Sequence, residues 1–415
     1  MQTASELRNP DLLRRLAERL RSMGAPPATL MEVCGTHTVA IARYGLREAL
    51  PAGVRLISGP GCPVCVTPQE QIDHFIALGR GAGAPPAKAQ ASGGASLRVP
   101  SGQAPNAPPY RTTLATFGDM VRVPGSVESL ERARADGVEV LVVYSPLDAV
   151  AAAERRPEHQ VVFFGIGFET TAPAVALAIK EARRKRLGNF SVLVAHKLIP
   201  PAMMALVGRA CPRPPQSGPG REPGFAAKGQ EASSCPTVQV DGFLCPGHVS
   251  VIIGSKAYEP VAARGKPCVV AGFEPADILR GIEMLLCQLA EGRSEVEIEY
   301  SRAVRREGNR RAQELLAEVF RPVDARWRGL GEIPSSGLAL REEFGEFDAT
   351  KRFSIEVPSA KEPPGCRCGE VLRGAIEPQE CPLFGEACTP ANPVGACMVS
   401  SEGACQAWHR YRGGR

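Results

Sequence analysis

The chain has 415 residues, 44% of them hydrophobic and 22% charged, with 49 basic residues against 44 acidic ones. These are ordinary globular values: enough chain for two or three domains, no need of disulfide staples, and too mild a charge for a nucleic-acid or membrane-surface protein. Aromatics at 5% also disfavour a base-stacking platform.

At the start, Glu6, Asp11 and Glu18 interrupt the arginines and leave no apolar core for a secretory signal; no later run is long enough for a bilayer. The expected compartment is the cytoplasm, where cysteines read as metal ligands or redox thiols rather than structural disulfides. Leu12, Leu13, Leu16 and Leu20 predict a short amphipathic helix at 10–23.

Short apolar runs follow, each closed by a turn. Residues 29–33 run into Cys34-Gly35, 54–57 into Ser58-Gly59-Pro60-Gly61, 112–117 into Gly118-Asp119, and 138–144 into Ser145-Pro146. The pattern restarts with 161–164 before Gly165-Ile166-Gly167 and 191–195 before His196-Lys197. It ends with 242–244 before Cys245-Pro246-Gly247-His248 and 268–271 before Gly272-Phe273. Helical stretches such as 173–186 and 275–289 lie between them. Continuous apolar runs alternating with helices predict α/β architecture with parallel sheets.

Four units followed by four suggest two similar α/β domains, at 29–155 and 156–290, with a local echo between 118–126 and 247–255. An N-terminal helix at 1–28 is expected to pack with the C-terminal portion. Residues 80–109 and 212–236 are low-complexity insertions, which makes Cys211 and Cys235 poor functional candidates. Residues 295–320 read as one charged amphipathic helix with its arginines on a solvated face. The third portion, 291–415, ends in a loop-rich, cysteine-rich module.

Fourteen cysteines are clustered, not scattered. Cys366, Cys368, Cys381, Cys388, Cys397 and Cys405 crowd the tail, and density without paired knuckles favours an iron–sulfur cluster over structural zinc. Cys62-Pro63-Val64-Cys65 has the layout of a dithiol–disulfide centre at a helix start; a metal half-site or a structural turn are the other readings. In Cys34-Gly35-Thr36-His37-Thr38, the thiol could be a nucleophile, a one-thiolate metal ligand or a buried strand end, with His37 as nitrogen ligand, base or hydrogen-bonding group. The turn Gly165-Ile166-Gly167-Phe168-Glu169-Thr170-Thr171 lacks the third glycine of a dinucleotide fingerprint, and the next strand ends in His196-Lys197 rather than an acid, so NAD binding is rejected. Glu169, Thr170, His196 and His248 can line one cleft with Thr36, Cys34 and Cys62, since ligand sites in such sheets lie at the carboxyl ends of strands.

Together the motifs CGTHT, GPGCPVC, GFETT and PGHVS, with the tail spacing C-x14-C-x6-C-x16-C, resemble the HypD family of [NiFe]-hydrogenase maturation factors over most of the chain outside the insertions. The resemblance implies a scaffold that builds an iron centre carrying two cyanides and one carbonyl. It implies a small HypC-type chaperone, a HypE-type cyanide donor, and delivery to a hydrogenase large subunit. On that likeness Cys34 ligates the transient Fe(II), His37 tunes it, Cys62 and Cys65 cycle between dithiol and disulfide, and Cys366, Cys381, Cys388 and Cys405 hold a [4Fe-4S] cluster; Cys368 and Cys397 fall outside that spacing. No nucleic acid or membrane partner is expected. Competing readings are an iron–sulfur dithiol oxidoreductase acting on a partner protein, and a zinc scaffold.

Overall fold

Each of the eight apolar runs becomes a strand in the computed structural model, which describes residues 3–81, 111–208, 238–353, 355 and 362–412. In chain order they are β1 (Ala28–Glu32), β2 (Val54–Ser58), β3 (Arg111–Thr116), β4 (Glu139–Val142), β5 (His159–Gly165), β6 (Phe190–Val194), β7 (Gly242–Pro246) and β8 (Cys268–Ala271). Their pairing is parallel, and the central runs, such as Val161 to Phe164, are buried on both faces. Both insertions lie outside the described residues, apart from Arg80 and Gly81, and so do Cys211 and Cys235.

The strands form two parallel sheets, but not in the order that the sequence suggests. The first sheet runs β2-β1-β7-β8-β9, where β9 is the short strand Val296–Ile298; the second runs β4-β3-β5-β6. The expected division into 29–155 and 156–290 therefore cuts across both sheets. The chain lays down two strands of the first sheet, builds the whole second sheet, and returns to finish the first. Apolar runs of equal character do not say which run pairs with which; contacts distant in sequence decide it. The echo is not structural either, since Gly118–Met120 is a single 3-10 turn and Gly247–Ile253 is a helix.

The amphipathic helix appears as Pro10–Ser22, started by Asn9, whose side chain accepts from the Asp11 and Leu12 amides. It packs on the helix Pro275–Ala290 rather than on the C-terminal portion, because Leu16 and Leu20 join the core of the first sheet and Arg19 pairs with Glu283. Residues 295–320 are not one helix. Val296–Ile298 is the edge strand β9, and only Arg310–Val319 is helical. Of the arginines between them, Arg302 pairs with buried Asp277, while Arg305 is exposed and Arg306 pairs with Glu259 on the solvated surface. Beyond that helix, β10 (Phe320–Trp327) and β11 (Gly331–Leu340) form an antiparallel hairpin that packs near β6. The described part of the tail that follows carries short helices, among them Cys368–Leu372, Ala396–Val399 and Ala404–Arg412. Among the described residues no helix is long and apolar enough to cross a membrane.

The strand order sets where ligands can sit. In the first sheet the chain crosses from β1 to β2 on one side and from β7 to β8 on the other, so β1 and β7 flank a topological switch point. The second sheet has its switch point between β3 and β5. The crevice beyond the carboxyl ends of strands at such a point is the usual ligand site of open parallel sheets.

Candidate functional site

Cys34 emerges at the switch point of the first sheet, one residue beyond Val33 and at the start of the helix Gly35–Arg43. Two backbone bonds fix the loops around it: Gly59 N–H to Glu32 O at 2.8 Å and Gly35 N–H to Gly61 O at 2.9 Å. Gly61 lies so close that a Cβ there would stand 2.2 Å from the Cys34 nitrogen. The glycines of the second motif thus allow Cys62 to follow directly from the backbone that supports Cys34.

Burial pushes the Cys34 thiol up to about 12, against the backbone amides of His37 and Thr36, which favour the thiolate. Glu32, the last residue of β1, is wholly buried, and burial raises its carboxyl to about 7. It accepts from the Cys34 amide at 3.0 Å and from the Thr38 hydroxyl at 2.5 Å. The Thr36 hydroxyl donates to Glu402 of the tail at 2.9 Å.

His37 is buried and neutral at ordinary pH, its pKa lowered to about 4 by desolvation. Its Nε2 stands 2.9 Å from the Gly272 carbonyl, which can only accept, so Nε2 carries the proton. Nδ1 then keeps a lone pair with no partner among the described residues. Phe273 lies between two imidazoles, 5.3 Å from the His37 ring and stacked on His248 at 3.8 Å. His248 is exposed on its outer side, and partial burial lowers its pKa.

Cys62 and Cys65 are joined as a disulfide at the start of the short helix Pro63–Val66, and both are buried. The six tail cysteines line a single apolar pocket together with Leu383, Phe384 and Met398. Cys368 and Cys397 belong to it as fully as the others, with their sulfurs 2.7 Å apart. Hydrogen bonds from Cys366 and then Cys397 favour thiolate at Cys368. Among the described residues no three Cys, His, Asp or Glu groups stand as a ready metal-binding set. What the tail offers is a set of soft donors in an apolar pocket, the chemistry that suits an iron–sulfur cluster. Its helix Ala396–Val399 packs on Pro63–Val66, and Ala404–Arg412 packs on Gly35–Arg43, so the tail touches both N-terminal motifs.

The structure brings Cys34, Thr36, His37, Cys62 and His248 to one edge of the first sheet. The other residues come from the second sheet. Glu169 and Thr170 lie at the carboxyl end of β5, and Glu169 accepts from the Ile199 amide at 3.0 Å. His196 lies beyond β6, under the hairpin. Sequence reasoning missed Glu32, Gly272, Phe273 and Glu402. Glu32 carried a signal, a lone acid inside an apolar run two residues before a turn cysteine; Glu402 carried none.

Burial raises Glu169 from 4.5 to about 7, so between those values the folded chain holds a proton that the unfolded chain has lost. Its contribution to stability is full below pH 4.5 and is lost as pH rises through 7. Glu169→Gln is expected to remove on the order of 3 kcal/mol of this pH dependence. Denaturant titrations of both proteins near the ends of that interval measure it. A stability difference that is the same at both ends would show the carboxyl ionised throughout.

The family model HypD, described as "Hydrogenase formation hypA family", matches residues 11–104 and 107–412. Hydrogenase maturation factor HypD of Azotobacter vinelandii is 44% identical over 99% of this chain and 97% of its own length. The proteins of that name from Rhodobacter capsulatus and Escherichia coli (strain K12) are 40% and 39% identical, over 100% and 99% of this chain and 99% and 98% of their own lengths.

Proposed function

The chain belongs to the HypD family of hydrogenase maturation factors, and from that premise we propose that it is a cytoplasmic scaffold on which the Fe(CN)2CO fragment of a [NiFe]-hydrogenase is assembled. The observation that carries the proposal is a buried thiol, Cys34, at the switch point of the first sheet, with the Nδ1 of neutral His37, unpartnered among the described residues, close behind it in the chain. In this reading the cargo iron takes its thiolate from Cys34. A soft donor suits low-valent iron and leaves positions open for small diatomic ligands. The raised thiol pKa keeps free Cys34 protonated, so iron binding releases that proton. His37 stays neutral and can offer Nδ1 to the iron or to a ligand upon it. Glu32 is a positioning residue that holds the Cys34 amide and the first helical turn.

A HypC-type chaperone would supply a second thiolate, and a HypE-type donor the cyanide. Cys62 and Cys65 would alternate between the disulfide seen here and the dithiol. Cys366, Cys381, Cys388 and Cys405 would hold a [4Fe-4S] cluster, with Cys368 and Cys397 in the same pocket. Such a cluster, when bound, would supply single electrons beside the disulfide.

An infrared spectrum of the anaerobically purified protein, co-expressed with its small chaperone, tests the scaffold. Iron-bound cyanide and carbonyl bands are expected. Iron and labile sulfide without those bands would favour the dithiol oxidoreductase, and zinc without labile sulfide the zinc scaffold.

A further inference from the structure

We propose that the cleft between the carboxyl end of β6 and the β10–β11 hairpin binds a small monovalent oxyanion of the carboxylate type on Lys197. The cleft is a cavity of about 260 Å³ lined by Gln71, His196, Lys197, Asp324, Arg326 and Asp348, among others. It shares no lining residue with the Cys34 site.

Lys197 is 2% exposed, the degree of burial of a core residue. Its ammonium has the Gln71 side-chain oxygen at 3.4 Å and, among the described residues, no ion pair. A buried cation is costly unless something compensates it, and a cavity beside it is where a counter-ion can bind. Burial lowers the amine to about 8, against the pull of Glu70, so at neutral pH the group is still mostly cationic. His196 adds a second unsatisfied group: it is buried and neutral, and among the described residues neither ring nitrogen has a partner.

The other charged groups of the lining limit what can bind. Arg326 is 55% exposed on its side chain and pairs with Glu70 at 2.9 Å. Asp324 accepts from the Ser335 amide at 2.9 Å, and Asp348 from the Thr350 amide at 2.9 Å. Asp324 and Asp348 oppose any anion, a dianion about twice as strongly as a monoanion, so the one unpaired ammonium of Lys197 fits a single negative charge held close to it. The pocket is also preorganised. Lys197 N–H bonds Gly167 O at 3.0 Å, Leu198 N–H bonds Ser336 O at 2.9 Å, and Leu338 N–H bonds His196 O at 3.3 Å, which clamps strand end to hairpin.

Acetate and formate are the probes, titrated by calorimetry into the full-length protein at neutral pH, with chloride holding the ionic strength. Saturable binding at one site is expected, weakened about tenfold or more in Lys197→Met, because a charge-assisted hydrogen bond is lost. Gln71→Leu, which keeps the cation but removes its neighbour, is expected to alter the affinity even if Lys197→Met fails to fold. Cys34→Ala should bind as the wild type does, so the test is separate from iron assembly. Absence of saturable binding, equal affinity in folded Lys197→Met, or tighter binding of phosphate than of acetate would overturn the proposal.

Discussion

Cys34→Ala is expected to abolish hydrogenase maturation and the iron-bound cyanide and carbonyl bands, while the fold and the tail's iron and sulfide content stay as they are. The side chain is small and 7% exposed, so its loss opens little space and costs about 1 kcal/mol or less of stability. The chemistry is lost entirely because Cys62 is held in the disulfide and Cys245 lies within β7, so neither takes the place of the thiol that follows β1. Cys34→Ser sharpens the test: it keeps the size but replaces a soft donor by a hard one, and it is expected to fail as completely. Cys381→Ala is the reciprocal case, losing tail iron and sulfide and destabilising the tail, because ligand-set binding is coupled to folding. Loss of both signatures in Cys34→Ala, or full cluster content in Cys381→Ala, would sink the assignment of separate sites.

Gly61→Ala is expected to unseat the same site without touching a reactive atom. The added methyl would stand 2.2 Å from the Cys34 nitrogen and 2.5 Å from the Cys34 Cα and the Val33 carbonyl carbon, all of them backbone. No rotamer relieves such a clash, so the two loops must part and the Gly35 to Gly61 hydrogen bond must break. Overpacking together with a lost buried hydrogen bond amounts to about 3 kcal/mol or more. Gly24→Ala is the control, since a Cβ there meets nothing within 4 Å. Denaturant midpoints and maturation of a co-expressed hydrogenase measure the pair. Equal behaviour of the two variants would mean that the loops can shift freely.

The strands were legible because buried parallel strands are continuous apolar segments ended by glycine or proline, and 161–164 or 242–244 can hardly be anything else. Their partition between sheets was not legible, since β1 pairs with β7 only once more than two hundred residues have been bridged. The β10–β11 hairpin escaped notice for a different reason. Its strands carry Pro322 and Pro334 and expose Arg321, Asp324 and Arg326 side by side with apolar residues, so they read as irregular chain. The motifs named Cys34, His37 and the C-x-x-C pair, but the buried Glu32 carboxyl and the Glu402 contact arise from packing that no local pattern announces. In the tail, density alone pointed to one thiol-lined pocket, but the position of Cys368 and Cys397 within it had to come from the fold.

The interrupted first sheet also fixes an order of completion during synthesis. The second sheet lies wholly within 111–194 and has all its strands as soon as β6 leaves the ribosome. β1 and β2 are made earlier but wait for β7 and β8, and Thr36 waits for Glu402, which follows it by 366 residues. Pairings of such long range form late, because the entropy of closing the intervening loop opposes them until many contacts can form together. Cys34, made well before β7 and the tail, is therefore among the last residues to reach its finished surroundings, and a chain truncated before residue 402 carries the CGTHT motif without the tail contact that braces it.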